Sequence, residues 1–490
     1  MKLNKFLVMK NSMWIFLFLV FACTQKEVLP PAAILPLPSQ VQLDWQGKEM
    51  YAFIHFTVNT FTDKEWGYGD ENPDIFNPVD FDPNQWAKVL KEAGFKGAIL
   101  TAKHHDGFCL WPSEFTDHSV KNSNWQNGKG DVVGELKKAC DENGLEFGIY
   151  LSPWDRNHAE YGRPEYVEYY QNQLNELLDN YGPIFEIWFD GANGGDGYYG
   201  GARETRKIDD QVYYKWDEAF KIIKDHNSNT LVRGDARNPL SESRWCGNEK
   251  GYMGETNWNM INPDTLLAMG SKRTNGLNTG DINGDIWMPA EVDVSIRPGW
   301  FYHETEDTLV KTPDQLFDLY LSSVGRGAPL LLNVTPNRYG LIPEQDIASL
   351  QGWKKKIDET FATNRAINAK VEVDSYRGSS EKFDASKLID ENKETYWATD
   401  DEVKTGTISL KLKEPTLLNY ILIQEYLELG QRVKSFNVEV LQNGKWEQVA
   451  QGTTIGFKRI LEIEQVRTEQ VRINITDSRA CPALSNIEIY

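Results

Sequence analysis

Between residues 47 and 360 the chain alternates short apolar runs with stretches whose apolar residues recur at helical spacing. The runs are Met50–Val58, Gly97–Ala102, Phe147–Leu151, Ile184–Phe189, Thr230–Val232 and Ala328–Val334. Between them Pro83–Ala93, Val132–Asn143, Glu165–Leu178 and Val212–Asp225 read as helices. In the first of these, Trp86, Val89 and Leu90 fall at i, i+3 and i+4, the stripe a helix needs to pack on a sheet. Strand then helix, repeated over roughly 300 residues, predicts an α/β fold with a parallel sheet, and the length favours a (β/α)8-like barrel of the TIM type. No GxGxxG follows the first strand, so the usual mark of an open doubly wound sheet is missing. From about Ala366 the helical period stops. Lys370–Val373, Thr407–Leu412, Leu418–Gln424, Ser435–Leu441, Arg459–Ile463, Gln470–Ile475 and Ile487–Tyr490 read as short alternating strands, and Asn443-Gly444 is a hairpin signal. The domain plan is therefore a barrel over 41–362 and an all-β sandwich over 366–490.

The N-terminus departs from this pattern. Lys2, Lys5 and Lys10 precede the apolar stretch Met13–Ala22, which is too short to span a bilayer as a helix. Residues 1–22 read as a signal peptide. Small Ala22 before Cys23 looks like a bacterial lipoprotein signal, in which the cysteine is lipidated, and LPPAAILPLP at 29–38 reads as a Pro-rich stalk within 23–40. The expectation is an exported protein anchored by lipid at the cell envelope, in the periplasm or at the outer surface, with no other membrane contact. The formal net charge of −20 argues against nucleic acid as the partner. The other cysteines, Cys109, Cys140, Cys246 and Cys481, show no metal-ligand spacing, and no spacing among them demands a disulfide. The 16 Trp and 21 Tyr exceed what a core usually needs and suit stacking on flat or semi-apolar ligands such as sugars.

A barrel places its chemistry at the C-terminal ends of its strands. The polar residues just past the apolar runs are His55 and Asn59; Lys103, His104, His105 and Asp106; Trp154 and Asp155; and Asp190. Farther on come Arg244, Trp245 and Glu249 in RWCGNE, then Glu291, Trp300, Tyr302 and His303. Four of the seven histidines fall in these clusters. The His104-His105 pair could hold a metal or simply be satisfied in a loop, but neighbours in an extended segment face opposite ways, and hydrogen bonding to sugar hydroxyls is the better reading. Asp190 ends an apolar run, where a carboxylate is costly without a partner, so it reads either as a nucleophile or as a cap of the next helix or turn. A glycosidase needs a second carboxyl facing the first. Periodicity offers Glu249 and Glu291, with Glu65 and Glu255 behind them, and does not choose.

HFTVNTF (55–61), EWG (65–67), FDPNQWAKVLKEAGFKGAILTAKHHDGFCLWPSEFTDHSV (81–120), IWFDG (187–191), RWCGNE (244–249), SIRPGWFYH (295–303) and LLLNVTPNRYG (330–340) together resemble the α-L-fucosidases of glycoside hydrolase family 29. RWCGNE and GWFYH look more like the branch acting on α-1,3/1,4-linked fucose in Lewis-type glycans. The resemblance implies an exo-acting, retaining α-L-fucosidase that needs no cofactor and no catalytic metal, with Asp190 as nucleophile and Glu249 as general acid/base, Glu291 standing in reserve. It implies sugar contacts from His55, His104 and His105, from Glu65 and Trp66, from Tyr150 or Trp154, and from Trp188 and Trp300. Arg244 joins them, in competition with Arg233 and Arg237. The rival reading is a fucose-binding, lectin-like protein on an inactive barrel, and the presence of both carboxyls favours the enzyme. KLIDENKETYWATDD (387–401), NYILIQEYLELGQRVKSFNVEV (419–440) and the closing segment resemble an F5/8 type C (discoidin-like) module, which allows a structural calcium ion near Asp390.

Overall fold

The computed structural model describes residues 27–234 and 238–490. The leader, Cys23 and Arg237 lie outside the described residues. The chain divides into Met1–Pro30 and Pro31–Tyr490, and the second unit holds both the barrel and the sheet domain.

Eight parallel strands form the barrel: β1 (Met50–Ile54), β2 (Gly97–Lys103), β3 (Glu146–Leu151), β4 (Glu186–Trp188), β5 (Leu231–Arg233), β6 (Arg244–Trp245), β7 (Ala290–Ser295) and β8 (Leu330–Asn333). The hydrogen-bonded order runs β5-β4-β3-β2-β1-β8-β7-β6, a ring in chain order that is open between β5 and β6. Helices α1 (Pro83–Glu92), α2 (Val132–Asn143), α3 (Pro164–Tyr181) and α4 (Trp216–His226) follow the first four strands. Helices α5 (Gly270–Thr279), α6 (Pro313–Ser322) and α7 (Glu344–Thr360) follow the last three. Their starts are written in the sequence. Asp82 caps α1 by accepting from Asn84 N and Gln85 N, with Pro83 in the first turn, and Thr312 with Gln315 forms a capping box before Pro313 on α6.

Alternation along the strands separates two cores. Ala52, Ile54, Ala98, Leu100, Ile149, Ile187 and Val232 face the helices. Tyr51, Phe53, Ile99, Tyr150, Trp188, Leu231 and Leu331 fill the barrel axis, with Trp45 of the short N-terminal helix Gln40–Gln46 packed among them. The open seam is bridged by Glu242. Its backbone N–H donates to Val232 O, its carboxylate accepts from Val232 N at 2.8 Å, and Lys224 balances its charge. A side chain thus stands in for the missing neighbour strand. Gln42 supports the same place by donating to Glu242 O and Trp287 O.

The sequence pattern marks the strands that have unbroken apolar runs. It does not mark β6, which is only two residues long, or β7, whose interior positions carry Glu291 and Asp293 and so interrupt the apolar signal.

Strands β9 (Lys370–Val373), β10 (Trp397–Ala398), β11 (Gly406–Glu425), β12 (Val433–Gln442), β13 (Lys445–Gly452), β14 (Arg459–Ser478) and β15 (Ala483–Ile489) form one seven-stranded antiparallel sheet. The pairs expected as separate strands on either side of Pro415 and around Val466 are single strands of 20 residues, β11 and β14. They break register between Lys411 and Thr416, so one half of β11 pairs with β9 and the other with β15. The turn signal at Asn443-Gly444 is real: both residues have positive φ and join β12 to β13. Trp397 is fully buried in this core. Within the second unit, the start of the chain lies against the sheet domain, with Ile34 N donating to Leu429 O and Arg432 donating to Ala32 O. Glu255 ties barrel to module by pairing with Arg326 and Arg459. The Asp390 carboxylate is taken up by Asn392 N and Thr395 Oγ1, and among the described residues no group of three or more His, Cys, Asp or Glu gathers as a metal site. Cys109, Cys140, Cys246 and Cys481 are free thiols.

Candidate active site

A cavity of about 550 Å³ opens at the C-terminal end of the barrel. Every strand contributes to it or to its support, because each ends in a polar or aromatic residue that the barrel aims at one place. His55 follows β1, His104 and His105 follow β2, Tyr150 is near the end of β3, Asp190 lies just past β4, and Arg233 closes β5. Trp245 of β6, Asp293 of β7 and Trp300 beyond it complete the inner wall. Glu249 enters from the loop after β6, and Trp66, 53% exposed, stands at the rim.

Asp190 is fixed in orientation. Oδ1 accepts from Ala192 N at 2.7 Å, and Oδ2 accepts from the Tyr150 hydroxyl at 2.9 Å. His105 Nε2 stands 3.8 Å from the same oxygen.

The three histidines are neutral, and their tautomers follow from their partners. Asn333 spends its N–H groups on Ser295 Oγ and Trp300 O, so its Oδ1 accepts from His55 Nδ1–H at 2.8 Å. Ser152 donates to Trp154 O and therefore accepts from His105 Nδ1–H at 2.7 Å. Asn59 Nδ2 donates to His104 Nδ1 at 3.4 Å. His55 and His105 thus offer Nε2 as an acceptor, and His104 offers Nε2–H as a donor. Burial is the main cause that drives all three below the usual histidine range, His55 to about 4.

Glu249 has the opposite bias. Partial desolvation, then the charges of Asp190 and Glu65, raise its carboxyl above the ordinary glutamate range, while a hydrogen bond with Trp300 pulls the other way. Asp293, wholly buried, is pushed up to about 8, first by desolvation; Arg233 opposes the rise and the neighbouring Glu291 and Glu249 add to it. Its Oδ1 accepts from Trp245 Nε1 at 2.9 Å.

Glu65 lines the cavity but is also a loop staple: it accepts from Trp300 N, Phe301 N and His303 Nε2. Trp154 lies behind the wall, edge-on to Trp66 and beside His105. Trp188 forms part of the floor, its ring stacked with Tyr150 at 5.3 Å.

Two sequence expectations are corrected. Arg244 does not reach the cavity. Its side chain is buried on the opposite side of the two-residue β6 and donates to Leu277 O, Met288 O, Asn257 Oδ1 and Trp258 O, pinning α5 and the chain before β7. The cavity arginine on the strand side is Arg233, with Arg273 of α5 at the outer edge. Glu291 is fully buried below the cavity, hydrogen-bonded to Tyr51 and Trp188 and ion-paired with Arg233, so it is neither a sugar contact nor a reserve acid/base. The sequence pattern did not pick out Phe53, Met269, Arg273 or Asp293. Asp293 alone carried a signal, a carboxyl breaking the alternation of AEVDVS.

The family model described as Alpha-L-fucosidase matches residues 33–357, and the F5/8 type C domain model matches 368–487. Alpha-L-fucosidase 1 of Arabidopsis thaliana is 42% identical over 465 residues, 94% of this chain and 88% of its own. A solved glycoside hydrolase 29 family member from an unknown rumen bacterium is 44% identical with a TM-score of 0.83, covering 94% of this chain and 78% of its own. A Ruminococcus gnavus GH29 fucosidase, solved in complex with fucose, is 35% identical with a TM-score of 0.85, covering 95% of this chain and 96% of its own.

Proposed function

Since this chain belongs to the α-L-fucosidases of glycoside hydrolase family 29, we propose that it is an exo-acting, retaining enzyme that removes fucose from α-1,3/1,4-fucosylated, Lewis-type glycans. The observation that carries the reading is the pairing of an oriented carboxylate, Asp190, with a second carboxyl, Glu249, whose surroundings favour its protonated form, on the wall of one cavity.

In the first step an Asp190 oxygen attacks the anomeric carbon of fucose. The glycosidic C–O bond breaks, and Glu249 gives its proton to the departing oxygen. The product is a fucosyl ester on Asp190. In the second step Glu249, now a carboxylate, takes a proton from water as that water attacks the same carbon, releasing fucose and restoring both groups. Positive charge grows on the sugar ring in each transition state. Three neutral histidines place no opposing charge there, and the Asp190 carboxylate favours it. The acceptor–donor–acceptor set from His55, His104 and His105 suits the hydroxyl edge of the sugar, and the aromatic wall suits its methyl group.

Two measurements test this. Nuclear magnetic resonance of the first-formed product should show α-fucose; β-fucose appearing first would overturn retention. A panel of α-1,2, α-1,3, α-1,4 and α-1,6 fucosylated oligosaccharides should lose fucose fastest from the 1,3 and 1,4 members; equal release from all would overturn the linkage assignment.

The reading includes export and a lipid anchor at Cys23, supported by the charged start, the short apolar stretch and the Ala22-Cys23 junction. Labelled fatty acid should enter the wild-type protein in a lipoprotein-processing host and not Cys23→Ser; equal labelling would overturn it.

A further inference from the structure

Beneath the cavity lies a second pair of carboxyls that touches no substrate. Glu186 opens β4, Glu291 sits on β7, and both are fully buried on the aromatic barrel axis. Two buried anions side by side would each carry a penalty of several kcal/mol. Among the described residues one cation meets them: Arg233 Nε, 2.9 Å from Glu291 Oε1. The donors are divided unequally. Glu291 accepts from Trp188 Nε1 at 2.8 Å and from the Tyr51 hydroxyl at 2.6 Å, using both oxygens. Glu186 Oε2 accepts from Trp45 Nε1 at 2.9 Å, while Glu186 Oε1 is buried with no donor. The Glu291 charge acts directly on Glu186, and a buried carboxyl oxygen left without a donor beside a carboxylate calls for a proton of its own.

We propose that Glu186 and Glu291 share a single proton that resides on Glu186, and that the one negative charge left on Glu291 is a positioning device for the nucleophile above it. Burial, followed by the Glu291 charge, holds the Glu186 carboxyl far above its usual range, as a proton donor in this place must be. From Glu291 the effect passes upward through packed groups. Its carboxylate fixes the Trp188 indole and the Arg233 guanidinium, which lies 3.8 Å over the Trp188 ring. Trp188 stacks on Tyr150, and Tyr150 donates to Asp190. The positioning role rests on the reading of Asp190 as nucleophile; the shared proton does not.

The test is an asymmetry between two isosteric amides in the full chain. Glu186→Gln keeps a donor facing Glu291 and should leave kcat within about threefold of wild type. Glu291→Gln strips the charge opposite Arg233 and should lower kcat about 100-fold with KM changed far less, the cost of a misaligned reacting group. A difference infrared spectrum, wild type minus Glu186→Gln at neutral pH, should show the carbonyl band of a protonated carboxylic acid. That arm needs no activity and stands even if Glu291→Gln fails to fold. The proposal is overturned if the acid band is absent from the difference spectrum, if Glu186→Gln is the more damaging variant, or if both variants lose activity equally.

Discussion

The two strand ends that carry the proposed nucleophile and the proposed acid/base are built to different standards. Asp190 leaves β4, a strand laddered on both sides, and each of its oxygens has a fixed donor. Glu249 comes four residues after the two-residue β6, which has a ladder on one side only. Its loop is shaped by Gly247, whose φ is +85°, and by Asn248, which accepts from Lys250 N and donates to Tyr252 O. A nucleophile must meet one carbon at one angle, so rigidity serves it. A proton donor must reach a leaving oxygen whose position varies with the glycan, so a loop serves it.

Removing either carboxyl probes the contrast most directly. Asp190→Ala should cut turnover by several orders of magnitude on every substrate, with external azide restoring reaction as fucosyl azide. Comparable loss across all leaving groups is the signature; a mild loss would mean another nucleophile. Glu249→Ala should cost about 10²–10⁴-fold on fucosylated oligosaccharides and far less on an activated aryl fucoside. If loss does not depend on the leaving group, Glu249 is not the acid. In wild type, activity on glycans should fall as pH rises through the raised Glu249 value, because the proton to be donated is gone; Glu249→Gln should remove that limb.

The loop itself offers a finer probe. A Cβ at position 247 would stand 2.4 Å from Thr274 O on a backbone suited to glycine. Gly247→Ala should therefore destabilise by about 1–2 kcal/mol and slow glycan hydrolysis more than aryl fucoside hydrolysis. Equal slowing would show that the loop does not govern proton delivery.

The last effect concerns the pH dependence of stability and leaves the chemistry aside. The folded-state value of His55 is depressed to about 4 from 6.5, so its contribution is present above pH 6.5 and lost as pH falls toward 4. The full loss is worth about 3 kcal/mol. His55→Gln should flatten the decline of thermal stability across that window, and an unchanged slope would place the acid sensitivity elsewhere.

The same contrast explains what could be read from the chain. Asp190 was legible because an apolar run ends there, and α2 was predicted to the residue because Asp131 caps its start and Gly144 ends it in the left-handed region. The β6–β7 side was not legible. Two-residue strands have no period, and the choice between Arg233 and Arg244 depends on which way each strand faces, a parity that spacing alone leaves open. Glu291 looked like site chemistry since buried and cavity-facing carboxyls read alike in sequence. In the sheet domain Thr407–Leu412 and Leu418–Gln424 read as two strands, whereas one strand continues through both with an irregular register.

The Glu242 bridge has a practical consequence. Since a side chain closes the edge of β5, that rim needs no fixed chain length to complete the ring, and the exposed turn at Pro239 and Leu240 is free to take longer segments. A graft there would hang beside the mouth of the enzyme and reshape which branched glycans can approach, without disturbing the machinery beneath.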